Sequence, residues 1–168
     1  AMATTETDRA VTLESTTVVD ADSHVSVGPD DLLPYMARTS AGRRLVEKSS
    51  HFLSEVMTKT RVTPKFPNDA DYGGMRAGYS ANDPEGKLGF MDEFGVDHTV
   101  ITTNSGIATI NHDQTAVEWA RAYNDWLADT FLGVDDRLSA ALAIAHQTPD
   151  LAAEEIDRMA SEDNIVGV

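Results

Sequence analysis

The sequence contains no cysteine, which excludes disulfides and thiolate-held metals together and fits a reducing, cytoplasmic setting. It contains no apolar run near the roughly 20 residues that a membrane-spanning helix needs, and no charged-then-apolar leader of the signal-peptide kind. Basic residues are scarce, 13 against 28 acidic ones, for a formal net charge of −15. Such a chain repels phosphate backbones and anionic headgroups, so neither nucleic acid nor a membrane surface is an expected partner. Several chemical signatures are missing as well. No Gly-x-Gly-x-x-Gly follows the first strand, no Gly-Lys-Ser or Gly-Lys-Thr loop cradles phosphate, and no Gly-x-Ser-x-Gly elbow presents a nucleophile.

What is present amounts to about one domain: 168 residues, 41% hydrophobic and 24% charged. Its most informative stretch is Val18-Val19-Asp20-Ala21-Asp22-Ser23-His24-Val25. The β-branched opening reads as a buried strand, and the stretch closes in acids and a histidine at alternate positions. On an extended chain residues two apart share a face, so the spacing places Asp20, Asp22 and His24 together. Polar side chains at the end of an apolar strand must be paired or they weaken the fold. Carboxylate with imidazole suits a divalent zinc, manganese or iron ion. From spacing alone, an Asp-rich strand end that caps a turn, beside a histidine that simply hydrogen-bonds, is the commoner case.

Residues 1–15 lack periodicity and read as a flexible tail, with Ala1-Met2 a remnant of expression, so the domain is expected over 16–168. A turn and short helix start follow at Gly28–Met36, and a further helix is expected over Arg43–Lys59 with His51 on its surface. Residues 60–82 hold Pro64, Pro67, Gly73, Gly74 and Gly78 and read as a long loop, whose Lys65, Tyr72, Arg76 and Tyr79 can meet a substrate or simply solvent. Asp83 as N-cap, Pro84 at the first position and Gly95 as stop define the next helix, with Leu88, Met91 and Phe94 expected inward. Val96–Thr103 is a second strand, and Asp113–Leu132 a helix with Ala116, Ala120, Tyr123, Leu127 and Phe131 on its apolar face. Arg137–Ala145 is a third strand. A helix then starts at Thr148-Pro149 with Ala152, Ile156 and Met159 inward, and Ile165–Val168 begins a fourth strand. This alternation argues for parallel strands joined by right-handed helical crossovers. Parallel strands bring their exits to one edge, where His24, Thr102–Asn104 and His146-Gln147 would gather.

The segments Val19–Val25, Lys87–Asp97, Ala122–Leu127, Asp136-Arg137-Leu138 and Glu154–Arg158, in that order, resemble the amidohydrolase superfamily. The similar branch is the amidohydrolase-related group that holds aminocarboxymuconate-semialdehyde decarboxylase and γ-resorcylate decarboxylase. The resemblance runs from about Thr17 to Val168 and implies a (β/α)8 TIM barrel of which this chain supplies roughly the first four strands. It implies one or two divalent metals (zinc, manganese or iron) at the C-terminal face, with Asp22 and His24 in the ligand places of the first-strand motif and Asp20 behind them. By their places at strand exits, Asn104 and His146 are secondary candidates for contacting substrate, and His146 is also a catalytic candidate, with a histidine that bonds loop backbone the commoner case. One departure is that Val27 stands where related acid-x-His sequences often carry Glu. Another is that the remaining ligands of the family lie on later strands, so a longer chain, a second polypeptide or an oligomer is expected to complete the barrel.

The implied activity is metal-dependent hydrolysis or non-oxidative decarboxylation of a small carboxylated or aromatic compound. Two alternatives stand beside it. One is an iron- or manganese-dependent oxygenase or hydroxylase subunit on the same scaffold; the other is a non-catalytic partner in a hetero-oligomer.

Overall fold

The computed structural model describes residues 16–25, 27, 29–46, 83–103, 107 and 110–168. The expected tail, the part of the expected helix beyond residue 46 with His51, the loop over 60–82 and the turn carrying Asn104 lie outside them.

Four strands, β1 (Val19–Val25), β2 (His98–Thr103), β3 (Leu138–Ala141) and β4 (Ile165–Gly167), form one sheet in sequential order. Every neighbouring pair is parallel. The labelled helices are α1 (Pro29–Met36), α2 (Pro84–Phe94), α3 (Asp113–Thr130) and α4 (Pro149–Met159), with residues 40–46 also helical. Sequential order with right-handed crossovers puts the connecting helices on one face of the sheet. The parallel α/β alternation expected from the sequence is therefore present.

Helix α2 begins and ends as its residues require. Asp83 Oδ1 accepts from the Gly86 N–H at 2.7 Å, and Gly95 takes a left-handed φ of 67° while its N–H returns to the Met91 carbonyl. Its buried face differs from the expected one. Met91 is buried and Leu88 half-buried, but Phe94 is 50% exposed, and the second buried residue of the helix is Lys87. The difference is one of phase: Lys87 and Met91 lie one turn apart and share the buried face, which leaves Phe94 outward.

Helix α3 supplies the largest single share of the core. Ala116, Ala120, Tyr123, Leu127 and Phe131 are all buried, as their spacing predicts. Trp119 stacks on Tyr123 at 5.3 Å, Tyr123 tilts against Trp126 at 5.9 Å, and Trp126 meets Phe131 edge-on at 5.6 Å. The helix starts on His112, whose Nδ1 accepts from the Thr115 N–H, so that histidine is a cap.

Further differences lie in the third β/α unit. β3 stops at Ala141, short of the expected Ala145, because the backbone beyond it is engaged by a side chain. Asn124 Oδ1 accepts from the Ala143 N–H at 2.9 Å and Asn124 Nδ2 donates to the Ala143 carbonyl at 3.0 Å. Thr148 forms no side-chain cap for α4; its hydroxyl donates to the Ala145 carbonyl instead. On α4, Ala152 and Met159 are inward as expected, but Ile156 is exposed and Glu155 takes the buried place, paired with Asn124 and Arg158.

Candidate metal centre

β1 runs beside β2 with one irregularity. Asp20 pairs with Thr99 and Ser23 with Ile101, so β1 advances three residues while β2 advances two. The extra residue is a bulge, and bulges re-aim side chains. Its local cause is visible: Asp20 Oδ1 accepts from the Asp22 N–H at 3.2 Å, which diverts that N–H from the ladder. Beyond the bulge, Ser23 and Val25 are buried while Asp22 and His24 face outward on the other side of the strand. The shared face expected for Asp20, Asp22 and His24 therefore holds for the last two only. Asp20, on the far side of the bulge, is half-buried.

Asp22 and His24 meet. Asp22 Oδ1 lies 3.5 Å from His24 Nε2, with the side chains 84% and 44% exposed. The register places Thr102 opposite His24, and Thr102 ties the pair together. Its hydroxyl donates to Asp22 Oδ1 at 3.4 Å and lies 3.0 Å from His24 Nδ1; its carbonyl is 3.3 Å from the same nitrogen. A consistent proton assignment has Nδ1–H donating to Thr102 and the Thr102 hydroxyl donating to Asp22. That leaves the Nε2 lone pair beside the Asp22 carboxylate, so two lone-pair donors face one space. A histidine that gives Nδ1–H to a backbone carbonyl is in the usual state of a ligating imidazole. In donor type and tautomer the pair fits a divalent cation. Among the described residues no third Asp, Glu, His or Cys joins them.

The other sequence candidates fall apart from this pair or outside the description. His146 sits exposed in the turn after β3. Val27 is half-buried and packs against the main core, a packing role for the position at which related sequences often carry an acid.

Behind the strand is a residue that sequence reasoning missed. Lys87 is only 6% exposed. Its Nζ donates to Ser23 Oγ at 2.6 Å and to the His24 carbonyl at 3.1 Å. Burial holds its pKa below that of an ordinary lysine, and the nearby charge of Asp20 pulls in the opposite direction. A signal for it did exist, since Lys87 is four residues before Met91 on the inward face of α2. Thr102 was legible only as one polar residue among several at a strand exit.

No family model matches the chain. Over 82 residues, 48% of its length, it is 33% identical to the γ-resorcylate decarboxylases of Rhodococcus jostii (strain RHA1) and of Rhizobium sp. (strain MTP-10005). The match spans 25% of the length of each of these relatives. Among solved structures, a dihydroxybenzoic acid decarboxylase from Polaromonas sp. JS666, determined with bound manganese and the inhibitor 2-nitroresorcinol, is similar at a TM-score of 0.52 and 21% identity. That alignment covers 90% of this chain and 37% of the other, so the neighbour shares the fold over part of its own length. The resemblance to the amidohydrolase-related decarboxylases is borne out by these relatives. Among the described residues no helix is long and apolar enough to cross a membrane.

Proposed function

We propose that the protein is a metal-dependent, non-oxidative decarboxylase of a small aromatic carboxylic acid, with Asp22 and His24 among its metal ligands. The observation that carries this is the 3.5 Å approach of Asp22 Oδ1 and His24 Nε2 at the exposed end of a parallel strand. The similarity to γ-resorcylate decarboxylases favours loss of carbon dioxide over hydrolysis and names dihydroxybenzoic acids as the substrates to try first. On this reading the four strands are one part of a (β/α)8 barrel, and the further ligands come from outside the described residues.

In the proposed mechanism each side chain has a limited task. Asp22 contributes negative charge and a hard oxygen donor, which suits manganese or another divalent ion. His24 contributes Nε2, and Thr102 holds the ring in the tautomer that keeps Nε2 unprotonated. Asp20 sets the bulge through its bond to the Asp22 N–H. A divalent ion held there would act as a Lewis acid toward the substrate's oxygens and stabilise the charge that develops as the carbon–carbon bond breaks and a proton replaces the departing carbon dioxide.

The test is to load the purified protein with Mn²⁺, supply dihydroxybenzoic acids, and follow dihydroxybenzene by chromatography, with and without dioxygen. Anaerobic product formation that is lost in Asp22→Asn and His24→Ala is the expected result. Product that requires dioxygen would instead support an oxygenase, and unchanged activity and metal content in both variants would leave the chain a structural partner.

A further inference from the structure

The bulge that brings Asp22 and His24 together is held from behind by one side chain. Ser23 and the His24 carbonyl are the groups next to the bulge, and both accept from Lys87 Nζ, at 2.6 Å and 3.1 Å. Lys87 reaches them from α2, across a separation of 64 residues for Ser23. That helix is anchored at both ends, by the Asp83 cap and the left-handed Gly95. Through Arg137 it is also tied toward β3, since Arg137 Nη1 donates to Asp92 Oδ1 at 2.7 Å. A buried lysine is costly to keep, and leucine or methionine would fill the same space without that cost. What an aliphatic residue lacks is a donor for a main-chain oxygen of the very residue whose imidazole faces Asp22.

A Ser–Lys nucleophilic pair is the other chemistry this contact suggests, and its surroundings argue against it. Ser23 is 8% exposed and lies on the strand face opposite Asp22 and His24, so no substrate reaches its hydroxyl from the metal side. Lys87 also gives one of its protons to a carbonyl, which is the behaviour of a clamp.

We propose that Lys87 is a positioning residue for the Asp22–His24 pair: by bonding Ser23 Oγ and the His24 carbonyl it sets the backbone of the β1 bulge, and so the approach of the two ligands. This rests on the reading of Asp22 and His24 as metal ligands. Charge and position act in opposite senses here, which makes the role measurable. Removing a basic group near a cation site would tighten cation binding on Coulombic grounds, whereas releasing the bulge would weaken it.

The experiment is Mn²⁺ titration of the purified protein, by calorimetry or by the paramagnetic signal of free Mn²⁺, for the unsubstituted chain, Lys87→Met, Ser23→Ala and His24→Ala. Folding of each is checked by circular dichroism at the titration temperature. The expected result is loss of binding in His24→Ala and an affinity weakened about tenfold or more in folded Lys87→Met, with a smaller weakening in the same direction in Ser23→Ala. Should Lys87→Met fail to fold, Ser23→Ala decides, because it removes one of the two acceptors and leaves the lysine in place. Abolished binding in His24→Ala with unchanged or tighter binding in the folded Lys87 or Ser23 variant would overturn the positioning role and leave the metal site standing. Undiminished binding in His24→Ala would overturn the metal site itself.

Discussion

Asn124 Nδ2 donates to Glu155 Oε1 at 2.7 Å, joining α3 to α4 inside the fold. The same asparagine pairs with both backbone groups of Ala143, and Arg158 bridges Glu155 to Asp125. Asn124 and Asp125 of one motif and Glu155 and Arg158 of the other thus form one buried-to-surface polar network. They brace the end of β3 and do not surround the Asp22–His24 pair.

Replacing Asn124 with Ala leaves the Ala143 N–H and carbonyl without partners and removes a donor from Glu155. Buried groups orphaned in this way cost about 1–3 kcal/mol each. A loss of about 3 kcal/mol in unfolding free energy is expected from urea denaturation. A change below about 1 kcal/mol would mean that water replaces the asparagine at little cost.

Asp22 and His24 carry little stability. Asp22 is largely solvent-facing and His24 is partly so, and exposed substitutions ordinarily change stability by about 0.5 kcal/mol or less. Asp22→Asn and His24→Ala are expected to melt close to the unsubstituted protein while losing bound metal, as read by elemental analysis. A strong fall in melting temperature in the metal-free protein would show that the pair is part of the structural frame.

Lys87 makes stability depend on pH with a definite sign. Its folded pKa is lowered by burial, so between that value and the ordinary lysine value the unfolded chain binds more protons than the folded one. Stability from this group therefore rises with pH across that alkaline window. The difference in unfolding free energy between the unsubstituted protein and Lys87→Met should shift in favour of lysine as pH increases there. Tyr123, whose burial raises its pKa, works oppositely above the usual tyrosine range, and it cancels in the difference. A difference that stays flat would contradict the burial of the amine.

Two substitutions test the ends of α2. Asp83→Ala removes the bond to the Gly86 N–H and should cost about 1 kcal/mol. Gly95→Ala meets no atom within 4 Å, so its cost is conformational alone, about 1–2 kcal/mol for a left-handed non-glycine residue. Thermal unfolding checks both.

The order of the elements was legible in the sequence because it rests on local chemistry. Asp83, Pro84 and Gly95 specify a helix from its own ends, and the spacing of Ala116 through Phe131 specifies the face that α3 buries. Asp22 and His24 were legible for the same reason, since residues two apart on a strand share a face wherever the pleat is regular. Asp20 escaped that rule because a bulge is a property of two strands in register, and β1 alone does not contain it. Lys87, Thr102 and Glu155 were hidden for a related reason: each acquires its role from a partner far along the chain. The sequence by itself determined the alternation of strands and helices and the acid–imidazole pair, through periods and caps that act over a few residues. Tertiary structure alone decided which polar groups are buried together and how the two candidate ligands approach, because those depend on desolvation and register between distant segments.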